Sequence, residues 1–220
     1  MILHPSPNID AREGAVSFLV LHYTGMPTAQ SAIDLLCSPA AKVSSHYVVD
    51  EDGTVYRLVD EADRAWHAGI SYWRGVRMLN DASIGIEIVN PGHEWGYRPF
   101  PAVQMEAVVE LCRGILARHA IPARNVVAHS DIAPNRKQDP GELFDWRGLA
   151  AQGIGVWTDE FAPSGDFFVD LAAIGYDTSL PEREVITAFQ RHFLPGNLSG
   201  VVDAATAGRA AAVRRLVDRG

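Results

Sequence analysis

The chain has 220 residues, 47% of them hydrophobic and 21% charged, with a net charge of −8 and two cysteines. That is the make-up of a soluble globular protein, with length for one large domain or for a medium domain and an appendage. The acidic balance and the lack of any Lys/Arg run argue against a nucleic-acid partner, and no apolar run approaches the roughly 20 residues of a membrane-spanning helix.

The N-terminal stretch MILHPSPNIDAREGA has no charged start followed by an apolar core. The expected location is therefore the cytoplasm, or the periplasm if an export signal is not represented. Residues 15–22, AVSFLVLH, form a nearly continuous apolar run, which suits a central strand buried on both faces. The run ends at His22. Residues 28–38 follow as a helix with Ala32, Leu35 and Leu36 on one side. Residues 46–59 read as a hairpin turning at Asp52-Gly53.

Residues 82–90, ASIGIEIVN, alternate cleanly: Ile84, Ile86 and Ile88 share one face, and Gly85, Glu87 and Val89 the other. Residues 101–121 carry Val103, Ala107, Val108, Leu111, Cys112 and Ile115 at helical spacing behind Pro101. Cys37 and Cys112 both lie in apolar helical segments and read as buried thiols, with nothing resembling a disulfide framework. NVVAH, residues 125–129, is a short strand ending at His129, and a short helix follows in GELFDWRGLA.

Strands alternating with helices predict an α/β domain with a mixed central sheet over residues 1–150. Residues 151–165 are glycine-rich and aperiodic and read as a linker. Residues 166–220 carry three helical patterns. A unit of about 55 residues builds only a small core, so it is expected to lean on the larger domain.

Two predicted strands end in histidine, His22 and His129, and Asp139 follows His129 across the loop HSDIAPNRKQDPG. Strand ends point into the crevice where α/β folds bind ligands. Two imidazoles and a carboxylate form a ligand set for zinc, with a fourth tetrahedral position left for water. The spacing is equally that of strand-end histidines bonded to backbone. Glu87 adds a second sign, because a carboxylate among such apolar neighbours is costly unless paired or working. As a general base it would move a proton from water to a leaving amine. Lys137, two residues before Asp139, is placed to hold an oxyanion, or is an ordinary exposed loop lysine.

The segments FLVLHYTG, SSHYVVDEDGTVYRLVDE, RAWHAG, ASIGIEIVN and VVAHSDIAPNRKQDPG resemble, in order, the zinc-dependent N-acetylmuramoyl-L-alanine amidases, most closely the anhydromuramyl-peptide branch. The resemblance implies a fold related to peptidoglycan-recognition proteins and T7 lysozyme. It also implies one zinc ion on His22, His129 and Asp139, with Glu87 and Lys137 catalytic. The substrate would be peptidoglycan or its muramyl-peptide fragments, cut between the lactyl group and L-alanine.

RAWHAG offers Arg64 for a substrate carboxylate, Trp66 as a flat wall and His67 as a hydrogen-bonding group. Where some relatives have a substrate-touching asparagine after the first ligand, this chain has Tyr23, which leaves the choice between anhydro and ordinary muramyl ends open. His46 is expected to orient the site from beneath, and His4, His93, His119 and His192 to be surface or packing residues. The segments LAAIGYD, VITAFQRHFLP and GVVDAATAGRAAAV resemble the three-helix peptidoglycan-binding module of cell-wall hydrolases. A helical cap that supports the larger domain is the other reading. Two other functions remain in view: a peptidoglycan-recognition module without catalysis, and a zinc hydrolase of another amide.

Overall fold

In the computed structural model, which describes residues 1–219, two short strands, β1 (Ile2–Leu3) and β2 (Ile9–Ala11), precede the long β3 (Phe18–Tyr23). Helix α1 (Ala29–Leu36) follows, its first turn capped by Thr28, whose hydroxyl accepts the Ser31 N–H at 3.1 Å. The expected hairpin is β4 (Tyr47–Val49) and β5 (Val55–Arg57), with Gly53 supplying the positive φ of the turn. Then come three short strands, β6 (Asp63–Ala65), β7 (Tyr72–Trp73) and β8 (Val76–Arg77), and the second long strand, β9 (Ser83–Ile88).

The one-turn α2 (Gly92–Trp95) and the long α3 (Ala102–Arg118) lead to β10 (Val126–Ala128). His129 itself opens another single turn, α4 (His129–Ile132), in a stretch read from sequence as loop. Helices α5 (Trp146–Ala151), α6 (Phe167–Ile174), α7 (Glu182–Phe193) and α8 (Ala204–Val217) complete the chain.

Six strands form one mixed sheet in the order β1-β5-β4-β9-β3-β10. Only the β4–β5 pair is antiparallel. Leu19, Val20, Leu21, Ile84 and Ile86 have no exposed surface, as central strands covered on both faces require. On one face Leu19, Leu21, Ile84, Ile86 and Ile88 pack against Val108, Cys112 and Ile115 of α3 and Trp146 of α5. Burial of each isoleucine stabilises the fold by about 1.5–3 kcal/mol.

On the other face, Phe18, Val20 and Val127 share a single cluster with Leu171 of α6, Val185 and Phe189 of α7, and Val213 of α8. A third cluster sets Ile33 and Leu36 of α1 on Val48, Val59 and Val89. Leu35, expected on that buried side, is 43% exposed and borders the cleft described below, while Ile33 takes its place in the core. Ala151 closes α5, and residues 152–165 hold no helix or strand. No helix among the described residues is long and apolar enough to cross a membrane.

Outside the lining of the cleft, Glu61 accepts bonds from Tyr47 Oη at 2.7 Å, Arg118 Nη2 at 2.7 Å and His119 Nε2 at 2.8 Å. Burial pushes its carboxyl pKa up, but the bonds from Arg118, Tyr47 and His119 outweigh it and hold the group at about 2, against an ordinary 4.5. A carboxyl depressed on folding contributes stability above its unfolded pKa and loses it as pH falls towards the folded one. Thermal unfolding temperature is therefore expected to drop on acidification between about pH 4.5 and 2, and to drop less in Glu61→Gln, as scanning calorimetry across that range would record.

Candidate active site

Strand register brings the key side chains together. β3 and β9 are parallel with His22 opposite Glu87, and β10 is parallel to β3 with Ala128 opposite Leu21. Side chains directly opposite in a ladder project to the same face. His22, Glu87 and His129 therefore stand abreast on one face at the carboxyl ends of three neighbouring parallel strands. Asp139 is returned to them by its loop, where the Ser130 N–H donates to the Asp139 backbone carbonyl at 2.9 Å.

His22, His129 and Asp139 are buried, and one donor atom from each lies within 4.8 Å of the others. The Nδ1 atoms of the two histidines are 2.9 Å apart, and each is 3.0 Å from Asp139 Oδ2. The remaining ring nitrogens fix the tautomers. Ser83 Oγ donates to the Leu79 carbonyl at 2.6 Å, so it accepts from His67 Nε2–H at 3.1 Å. His67 Nδ1 is then an acceptor and takes the His22 Nε2–H at 3.0 Å, leaving the lone pair of His22 Nδ1 facing Asp139. His129 Nε2–H donates to the Ala68 carbonyl at 3.2 Å, which leaves its Nδ1 lone pair facing the same point.

Two imidazole lone pairs 2.9 Å apart repel unless a cation lies between them. A proton is a poor candidate, because burial, and next the neighbouring His129, push the His22 pKa down to about 4. Two neutral imidazoles whose Nδ1 lone pairs converge with Asp139 Oδ2 on one point make a donor set suited to a divalent metal such as zinc.

The small residue beside this set has a clear purpose. A Cβ on Gly85 would lie 2.4 Å from His67 Cγ, 2.5 Å from its Nδ1 and 2.7 Å from its Cδ2, closer than such atoms can approach. Gly85→Ala is therefore expected to push His67 off His22. It should cost about 1–3 kcal/mol of stability from overpacking, seen in chemical unfolding, and weaken metal binding as well.

Glu87 reaches the floor of the cleft, where its Oε2 is buried and meets no hydrogen-bond donor. Burial, and next the charge of Asp139, raise its pKa well above the ordinary carboxylate value, with Lys137 pulling the other way. Lys137 borders the same cavity of about 370 Å³ and has no ion-pair partner among the described residues.

The residues expected to touch substrate divide. Tyr23 and Trp66 line the cavity, Tyr23 with its hydroxyl 3.0 Å from His93 Nδ1, and Trp66 with its indole N–H donated to Asp10 at 2.6 Å. Arg64 does not line it. Its guanidinium is taken by Asp10 of β2, at 2.5 Å and 3.2 Å, so it braces the β2–β6 pair. His67 borders the cavity, but both ring nitrogens are occupied by His22 and Ser83, which makes it a support for His22 and leaves no ring nitrogen for substrate. His46 lies beneath it, its Nδ1 accepting the Gly85 N–H at 3.0 Å.

Other cleft residues went unseen in the sequence. His93 bridges Tyr23 and Glu142 at the rim, the Glu142 carboxylate being 3.2 Å away, and Gln138 also lines the cavity. Neither sits in a pattern that marks it; only the position of Gln138 next to Asp139 was a signal.

A family profile described as N-acetylmuramoyl-L-alanine amidase matches residues 12–142. The chain is 41% identical to the N-acetylmuramoyl-L-alanine amidase AmiD of Escherichia coli over 87% of its own length and 79% of the relative's. It is 33% identical to the 1,6-anhydro-N-acetylmuramyl-L-alanine amidase AmpD of Haemophilus influenzae over 64% of its length and 85% of the relative's. Among solved structures, E. coli AmiD in complex with anhydro-N-acetylmuramic acid-L-Ala-D-γ-Glu-L-Lys superposes with a TM-score of 0.84 at 38% identity, covering 96% of this chain and 94% of that one.

Proposed function

Since the chain belongs to the N-acetylmuramoyl-L-alanine amidase family, we propose that it is a zinc hydrolase of muramyl peptides whose metal is held by His22, His129 and Asp139. The bond cut is the amide joining the lactyl group of N-acetylmuramic acid to L-alanine. The observation that carries this reading is the convergence of two imidazole lone pairs and a carboxylate beside an unpartnered glutamate.

Bound zinc would supply Lewis acidity towards the scissile carbonyl and raise the acidity of water at the site. Glu87, with a free oxygen at the cleft floor, takes the proton from the attacking water as its oxygen bonds to the carbonyl carbon. It returns that proton to the alanine nitrogen as the C–N bond breaks, giving a carboxylic acid and a free amine. Lys137 lines the same cavity, and its ammonium would hold the oxyanion formed between the two events. Tyr23 and Trp66 offer the cavity flat walls for sugar or peptide. The AmiD complex supports an anhydromuramyl tripeptide as the first substrate to try. Residues 166–220 are read as the helical module that resembles a peptidoglycan-binding unit, joined by residues 151–165 to the catalytic unit of residues 1–150.

The test pairs metal analysis with hydrolysis of an anhydromuramyl tripeptide and of an unrelated N-acyl amino acid. One zinc per chain and cleavage of the first substrate only are expected. Equal cleavage of both would make it a general amide hydrolase, and binding without cleavage a recognition protein.

A further inference from the structure

Besides the packing of Ile132 and Ala133, the C-terminal helices meet the proposed metal-binding turn at one buried carboxylate. Asp131 lies two residues beyond His129, inside α4, and has no exposed surface. Its Oδ2 accepts the Ala128 backbone N–H at 2.8 Å and the His192 Nδ1–H at 2.7 Å, and its Oδ1 accepts the Tyr176 hydroxyl at 2.6 Å. The first bond closes the turn where β10 ends and His129 leaves the sheet. The other two come from 45 and 61 residues further along the chain, from just past α6 and from α7.

Both distant donors are held fast. The His192 ring lies 3.9 Å, centroid to centroid, from Trp146 on one hand and from Phe193 on the other. Tyr176 is 1% exposed, with Trp73 4.9 Å and Phe189 6.1 Å from its ring. A turn of four residues has no stability of its own, because one helical turn fixes several dihedrals for a single hydrogen bond. The direction of the His129 side chain is therefore set by whatever holds α4. A buried carboxylate satisfied by three donors is a rigid anchor, and losing donors leaves it costly and free to shift.

We propose that Asp131, His192 and Tyr176 are positioning residues, through which the C-terminal helices aim His129 and so set the metal affinity of the site. The proposal rests on His129 being a ligand. It gives the helical unit a part in catalysis whether or not that unit also binds cell wall.

The double variant Tyr176→Phe/His192→Phe keeps both rings and removes both side-chain donors. His192→Asn does the reverse at one position, keeping a donor near Nδ1 and losing the ring. Three quantities are to be measured on the full chain: the zinc dissociation constant by chelator competition, the visible absorption of the cobalt(II) form, and the unfolding temperature without metal. The double variant is expected to bind zinc about tenfold or more weaker, as supporting partners of metal ligands commonly do, and to show an altered cobalt spectrum. His192→Asn is expected to bind more tightly than His192→Phe although it is the less stable of the two.

A lowered unfolding temperature with wild-type zinc affinity and cobalt spectrum would reduce the contact to packing and overturn the proposal. If the double variant does not fold, Tyr176→Phe alone decides by the same two metal readouts. A wild-type protein that binds no zinc would overturn the ligand assignment itself, and this proposal with it.

Discussion

Glu87→Ala is expected to keep its zinc and to lose amidase turnover by about two or more orders of magnitude, the scale of a missing acid–base group. Glu87 is opposite His22 in the ladder but is not among the three converging donors, so its loss removes no ligand. Its Oε2 has no partner, which leaves it open to a substrate water. Burial and the Asp139 charge raise its pKa, so the base form is depleted as pH falls through a value above the ordinary 4.5. The acid limb of kcat/KM should lie above that value in the wild type and be absent from the residual activity of the variant. Metal content and steady-state kinetics on the same preparation check both parts. Wild-type turnover in Glu87→Ala would remove this residue from the mechanism.

Asp139→Ala is expected to weaken zinc binding by more than about 100-fold, beyond the usual effect of losing a supporting partner, and to abolish turnover at limiting metal. Asp139 Oδ2 is the atom shared by both Nδ1 contacts and supplies the only negative charge of the donor set. Without it two neutral imidazoles remain, a poor site for a divalent ion. Chelator treatment of the wild type should reproduce the loss, and added zinc should reverse it only where Asp139 is present. A variant that holds zinc at wild-type affinity would show that the metal sits elsewhere.

What could be seen in the sequence follows how local the information is. The central strands announce themselves, because burial on both faces writes an apolar run at Phe18–Leu21 and strict alternation at Ile84–Ile88. Glu87 stands out against that alternation for the same reason. The strands β1, β2, β6, β7 and β8, two or three residues each, are too short to show a period, and β1, β2 and β6 are held by partners distant in sequence. Spacing alone left His22, His129 and Asp139 balanced between ligands and ordinary strand-end residues; the likeness of the surrounding motifs tipped it.

The pairing of Arg64 with Asp10 has no mark in the sequence, because Asp10, which takes its guanidinium, sits 54 positions away. His67 was assigned to substrate because a histidine beside a cleft does not reveal that both its nitrogens are already used. His192 looked like packing, and its bond to Asp131 appears only once α7 is laid against α4.

The pairing of His22 with Glu87 across two central strands also limits how this enzyme can change. Along a strand, orientation alternates with every residue, so a shift of one position between β3 and β9 would turn either group to the far side of the sheet. Intermediate placements do not exist: the spacing of the proposed proton carrier and the proposed ligand is stepwise, like teeth on a rack. Adaptation to a new stem peptide or sugar is therefore expected at loop residues that border the opening without a part in the chemistry, such as His93, Glu94, Arg136 and Gln138. Variants selected for altered preference should carry their changes there and leave the strands untouched.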